Sequence, residues 1–236
     1  MVRVHVHPPS SIEIHETHRA SVGFCLCVDT RRGLGYAAPT MRIVLVHGLG
    51  ADFESGFWPW LIGALRDRGH EVLLPEIPND DELNCADWVE AINTSIHEPG
   101  GDTMFIAHSI GCVALLHYFE QAEMTGTPKS TVLIAPPYFI GSEKFESFFI
   151  PPVDWDTVEW KSQGFVIIHA QDDVKIPLNH AQKHEQLLHG QLMELETGGH
   201  FNEVKELPLI LDLIDDRNVE PGSSLPSDFD EIDIVV

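Results

Sequence analysis

The chain has 236 residues, 43% of them hydrophobic and 22% charged, enough for one main α/β domain with a sizeable core. Its formal net charge of -23 excludes the Lys and Arg clusters with which proteins hold nucleic-acid phosphates. No apolar run approaches the ~20 residues of a membrane span, and the N-terminus lacks the basic and then apolar layout of a secretion signal, so a cytoplasmic protein with neither nucleic-acid nor membrane partners is expected.

Residues 1–40 are irregular: VRVHVH and VGFCLCV read at most as short strands, and no helix-length amphipathic pattern appears. Met41 stands immediately before the first strong strand signal, which suggests that it is the natural start and that residues 1–40 are an extension from an upstream start. From Met41 to Asp215 strand and helix signals alternate. The strands are the apolar runs RIVLVH, EVLLPE, TMFIAH, STVLIAP, GFVIIHA and QLMELE, and the periodicity predicts helices over 57–68, 84–97, 110–122, 178–188 and 203–214. Strands that are apolar on both faces and separated by helices require a mainly parallel, doubly wound sheet with helices on both sides. Residues 216–236 are polar, acidic and rich in turn residues, the composition of a flexible tail.

One segment breaks the alternation. Residues 136–163 are rich in aromatic residues and separate two strands without a long helix. Two readings fit equally: a lid or pocket wall at the carboxyl end of a strand, or a loop that packs its aromatics on the sheet edge.

Cys25, Cys27, Cys85 and Cys112 form no CxxC pair and no zinc-ligand spacing. Cys85 and Cys112 fall inside predicted helices, where a thiol serves as a small hydrophobe, and a reducing compartment follows. His180 and His184 lie one helical turn apart, and His189, His15 and His18 add to the histidine count, but no third ligand is evident. A solvated helix face is the expectation for His180, His184 and His189, with no metal and no cofactor.

Reactive groups of an open parallel sheet lie beyond the carboxyl ends of its strands. Four strand ends carry chemistry: HGLGAD, AHSIG, HAQDDVKIP and GGHFNE. Serine is a poor nucleophile until a positioned base, best a histidine oriented by a carboxylate, removes its proton. Ser109, an Asp at 172 or 173, and His200 supply these groups in the chain order of α/β-hydrolases. AHSIG is a G-x-S-x-G corner with Ala107 in place of the first glycine, a loose match strengthened by the strand before it and the helix after it. His108 adjoins the serine but points elsewhere on a tight turn, so it reads as structural. The spacing Asp-x-x-apolar-Pro favours Asp173, and leaves Asp172 to cap the turn or face solvent.

HGLG, FWPWLIGALRDRGHEVLLPEIPN, DWVEAI, AHSIG, PPVDW, DDVKIP and GGHFNE together resemble the small serine hydrolases of the YdeN and retinoblastoma-binding-protein family, over 42–214. The resemblance implies an α/β-hydrolase fold without a large cap domain and a catalytic triad at Ser109, Asp173 and His200. The corresponding mechanism passes through an acyl-enzyme, with the oxyanion held by the backbone N–H groups of Leu49 and Ile110. Trp58, with Phe148, Phe149 and Trp155, is a candidate for the substrate pocket; Trp58 and Trp60 equally suit the anchoring of the first helix. The expected partner is a small acyl substrate, an ester, thioester or amide. The alternative is a hydrolase-fold protein whose role is to bind a protein partner, its triad a relic, and a lyase or acyltransferase would use the same three groups.

Overall fold

The computed structural model describes residues 40–78 and 83–215. The extension at 1–40, but for Thr40, and the acidic tail at 216–236 lie outside the described residues, and with them His15, His18, Cys25 and Cys27. Six strands form one parallel sheet in the order β2-β1-β3-β4-β5-β6. They are β1 (Arg42–Val46), β2 (Glu71–Leu73), β3 (Thr103–His108), β4 (Ser130–Ile134), β5 (Phe165–Ala170) and β6 (Gln191–Leu195). Every pair is parallel, with Val46 opposite Ala107 and His108 opposite Ile134. The long helices are α1 (Trp58–Asp67), α2 (Cys85–Ser95), α3 (Ile110–Gln121), α6 (Leu178–Leu188) and α7 (Pro208–Ile214), and two single-turn helices, α4 (Glu146–Phe149) and α5 (Trp155–Val158), fall between β4 and β5.

Period-two alternation along the strands divides the core into two layers. Val44, Val46, Phe105, Ala107, Leu133 and Ile167 face α2 and α3. Ile43, Leu45, Met104, Ile106, Val132 and Ile168 face α1 and α7. This is the doubly wound α/β architecture that the alternating pattern requires. Helix α3 is buried along its whole length from Ile110 to Phe119, which is why its sequence is apolar all round rather than amphipathic. Cys85 and Cys112 are both buried, and burial pushes the Cys85 thiol up to about 12.

The last helix is shorter than its apolar pattern suggests. It begins at Pro208, not near Glu203, because proline fixes a first-turn geometry and pushes the preceding residue out of the helical region; Leu207 sits at φ -134°, ψ 73°. Among the described residues no helix is long and apolar enough to cross a membrane.

The sheet order reverses between β1 and β3, since β2 lies beyond β1 and β4 beyond β3. The carboxyl ends of those two strands therefore open a crevice, the place where such sheets bind ligands. The HGLG turn leaves β1 there, and Ser109 leaves β3.

Candidate active site

Ser109 occupies the single residue between β3 and α3, at φ 54°, ψ -131°. A non-glycine residue in that region stores roughly 1–3 kcal/mol of strain and persists only where its surroundings fix it. Here they do. The Ser109 N–H donates to the Ile134 carbonyl at 2.8 Å, and the Cys112 N–H donates to the Ser109 carbonyl at 2.9 Å. Gly111 lets α3 approach β1 so closely that a methyl group there would lie 2.4 Å from the His47 carbonyl oxygen. Gly48 is equally constrained, since a methyl on it would come within 2.9 Å of Ser109 Cβ.

His200 lies 2.8 Å through Nε2 from Ser109 Oγ and 2.7 Å through Nδ1 from Asp173 Oδ2. The second oxygen of Asp173 accepts the N–H groups of Lys175 at 2.8 Å and Ile176 at 3.0 Å. Burial works against the charged form of this carboxyl, but the bonds from His200, Ile176 and Lys175 outweigh it and hold the group below its ordinary value. A serine hydroxyl, an imidazole and a carboxylate thus form one unbroken hydrogen-bonded line, and sequence positions 109, 200 and 173 meet at the sheet's carboxyl edge.

Neighbouring groups fix that line in place. Asp172 accepts the Gly199 N–H at 2.7 Å, which braces the Gly198-Gly199 turn that carries His200 and makes Asp172 a cap rather than a member of the line. His108 donates from Nε2 to the His200 carbonyl at 2.9 Å. Burial pushes its pKa down to about 3, so it stays neutral and structural. Beneath Asp173 the fully buried His169 donates from Nε2 to the Ile176 carbonyl at 2.8 Å, and so holds the turn whose N–H groups bind the carboxylate. His47 donates from Nδ1 to the Gly48 carbonyl at 2.8 Å. In a planar trans peptide the carbonyl and the next N–H point in opposite directions, so this bond also sets the direction of the Leu49 N–H. Ile110, the first residue of α3, contributes one of the N–H groups that a helix cannot satisfy internally. Sequence reasoning passes over His47 and His169, and the only signal for either is a histidine placed at the very end of a strand.

Two cavities are formed by residues that the sequence singles out, and the first of them borders this region. One, of about 310 Å³, is bordered by Leu49, Ser55, Trp58, His108, Asn202 and Lys205. The other, of about 130 Å³, is apolar and is bordered by Val113, Leu116, Phe148, Phe149, Trp155 and His184 among others. The four pocket candidates from the sequence therefore do not share one cavity. Trp58 opens α1 and is 2% exposed, with its indole against Phe53 and Phe57, so anchoring the helix is its main role. Phe148, Phe149 and Trp155 come together across the sheet, in the segment between β4 and β5. That segment packs its aromatics and forms a cavity wall at once, while Trp160 points to solvent at 78% exposure.

The histidines of α6 also differ from expectation. His189 is exposed and His180 half-buried, but His184 is 1% exposed, because Ala181, His184 and Leu188 form the inward stripe of the helix. Among the described residues no group of three or more His, Cys, Asp or Glu side chains could hold a metal ion.

Comparison with known proteins bears on the family and the fold. Residues 43–209 match the family model described as serine hydrolase. A hydrolase of Bacillus subtilis, YdeN, is 24% identical over 182 residues, which span 74% of this chain and 95% of that protein. The crystal structure of the same Bacillus subtilis gene product superimposes with a TM-score of 0.68 at 22% identity, covering 75% of this chain and 98% of that one. A carboxylesterase structure from the thaumarchaeon Nitrososphaera gargenis gives a TM-score of 0.58 at 13% identity, over 75% of this chain and 89% of the other.

Proposed function

Because this chain belongs to the serine hydrolase family, we propose that it cleaves small carboxylic esters, thioesters or amides with Ser109 as nucleophile, His200 as base and Asp173 as orienting carboxylate. The observation that carries this reading is the hydrogen-bonded line from Asp173 through His200 to the strained Ser109. Asp173 keeps the Nδ1 proton of His200 in place, so Nε2 is free to take the proton of Ser109 Oγ as that oxygen attacks a carbonyl carbon. The tetrahedral oxyanion then lies against the backbone N–H groups of Leu49 and Ile110. His200 returns the proton to the leaving alcohol, thiol or amine, an acyl-Ser109 ester remains, and a water activated by His200 releases the acid. The buried thiols Cys85 and Cys112 fit a reducing, cytoplasmic setting.

A relic triad in a binding protein has no need of a strained serine, a braced histidine and a carboxylate held by three donors, so hydrolysis is favoured over the binding role. The test is labelling by a fluorophosphonate probe together with p-nitrophenyl acetate hydrolysis. The full chain labels and turns over; Ser109→Ala loses labelling and at least about 10⁴-fold in kcat. Labelling that survives in Ser109→Ala removes the assignment.

A further inference from the structure

The cavity of about 310 Å³ is enclosed by two segments that belong to the reacting region. One is the turn that leaves β1, with Leu49 and Ser55; the other is the chain that follows His200, with Phe201, Asn202, Glu203 and Lys205. The two segments touch, since a methyl group on Gly56 would lie 3.1 Å from the Asn202 carbonyl oxygen. Leu49 is bonded to Gly48, on which a methyl would come within 2.9 Å of Ser109 Cβ. Phe201 is bonded to His200, whose Nε2 lies 2.8 Å from Ser109 Oγ. The cavity wall therefore begins one residue away from each of the two groups that flank the serine.

That position decides which part of a substrate enters. In the tetrahedral intermediate the oxyanion faces the Leu49 and Ile110 N–H groups, and the leaving oxygen must come within reach of His200 Nε2 to receive its proton. The group carried by that oxygen runs past His200, along the segment that follows it. The side chains there are polar. Asn202, Glu203 and Lys205 are exposed and make no hydrogen bond or ion pair with other described residues. Ser55 donates its hydroxyl proton to Asp52, which leaves its oxygen able to accept. The ammonium and the amide nitrogen donate, the carboxylate accepts, and the formal charges of Glu203 and Lys205 cancel. Such a wall suits a neutral group whose hydroxyls both donate and accept. An alkyl group in the same place would strip water from these side chains and return no hydrogen bond.

We propose that this cavity is the leaving-group site and that it takes a small polyol, held by Asn202, Glu203 and Lys205, so that the substrates are acyl esters of polyhydroxy alcohols. The assignment rests on Ser109 being the nucleophile. The volume of about 310 Å³ stands at the lower end of the roughly 300–1,000 Å³ of small-molecule sites. The same site works in reverse. A polyol bound there attacks the acyl-Ser109 ester in place of water: His200 takes the proton of one hydroxyl, its oxygen bonds to the acyl carbon, the bond to Ser109 Oγ breaks, and His200 returns the proton to Oγ.

The experiment feeds the full chain p-nitrophenyl acetate in the presence of equal concentrations of glycerol and 1-propanol, and measures the ratio of glyceryl acetate to propyl acetate formed, alongside fluorophosphonate labelling. Glyceryl acetate exceeds propyl acetate by at least about tenfold. In the double variant Asn202→Leu, Glu203→Leu the ratio falls at least about fivefold. Because both esters arise from the same acyl-enzyme, the ratio is independent of how much active enzyme each preparation contains. A ratio near one in the full chain, or a ratio that survives in the double variant, overturns the proposal. If the double variant does not fold, Lys205→Leu is read in the same way, and a ratio unchanged there overturns it. Labelling without a glycerol preference removes this inference alone; no labelling removes it together with the nucleophile.

Discussion

The corner between β3 and α3 and the segment between β4 and β5 both meet α3, yet they are held by different kinds of bond. The corner is fixed by backbone: Ser109 N–H to Ile134, Cys112 N–H to Ser109, and two glycines whose missing side chains let strands and helix touch. The other segment is fixed by side chains that reach across the fold. His117 on α3 contacts the Phe148 carbonyl at 2.9 Å and Glu120 at 2.7 Å. Glu120 in turn accepts the Asp154 N–H. Ser147 accepts the Cys85 N–H at 3.1 Å, and Lys161 donates to the Ala122 carbonyl at 3.0 Å. Backbone fixation leaves little freedom to residue choice, as suits a reacting group. Side-chain fixation allows the wall of a pocket to change shape by a few substitutions while the reacting group stays still.

The largest effect that separates the two regions is expected at the carboxylate. Asp173→Asn keeps an acceptor for the Lys175 and Ile176 N–H groups but presents an amide to His200 Nδ1, and so favours the wrong tautomer. The expected loss in kcat is about 10⁴-fold, with thermal unfolding little changed. Asp172→Asn, one residue away, keeps an oxygen to accept the Gly199 N–H and loses only the charge of that brace, so it lowers kcat by less than about tenfold. Steady-state rates on p-nitrophenyl acetate and melting curves for both variants decide the matter; a greater loss at 172 reverses the assignment of the pair.

Next in size is Gly111→Ala, where two principles give opposite signs. Helix propensity alone favours alanine over glycine by about 1 kcal/mol. The new methyl, however, would lie 2.4 Å from a backbone carbonyl that cannot move without shifting β1. Overpacking of this kind costs about 1–3 kcal/mol or more, so net destabilisation is expected in urea unfolding. A stabilised variant would show that the corner is looser than its contacts imply.

This difference between backbone and side-chain fixation also explains what is legible in the sequence. Strands with two apolar faces, a G-x-S-x-G-like corner and an Asp-x-x-apolar-Pro turn are local patterns, and local patterns are what a chain displays. Hence the parallel sheet and the meeting of positions 109, 173 and 200 can be anticipated. The segment at 136–163 has no such signature. Its path depends on His117, Glu120 and Ser147 bonding to groups from 31 to 64 residues away, and such pairings leave no periodicity. His184 is hidden for a related reason: a histidine counts as polar in any pattern, so it reads as part of a solvated face with His180 and His189, although it lies on the inward stripe with Ala181 and Leu188. The late start of α7, at Pro208 and not near Glu203, follows from one residue, Pro208, which outweighs the hydrophobic spacing around it.

The smallest effect belongs to the side-chain clasp, and it distinguishes the regions most cleanly because it leaves the corner untouched. His117→Ala deletes the contacts to the Phe148 carbonyl and Glu120 at once, and leaves that carbonyl buried without a partner, at about 1–2 kcal/mol of stability. Among the described residues the hydrogen bonds of His117 run to Glu120 and Phe148 and not to Ser109, His200 or Asp173, so the chemical step has no reason to slow. Phe148 and Phe149, however, form a wall of the apolar cavity, and a loosened wall would bind less well any acyl group that enters it. The expected result is a KM raised several-fold for p-nitrophenyl hydrocinnamate, with kcat within about twofold and p-nitrophenyl acetate little affected. A fall in kcat on both esters with KM unchanged would mean that the two regions are coupled, and that the clasp helps to position the serine as well as the wall.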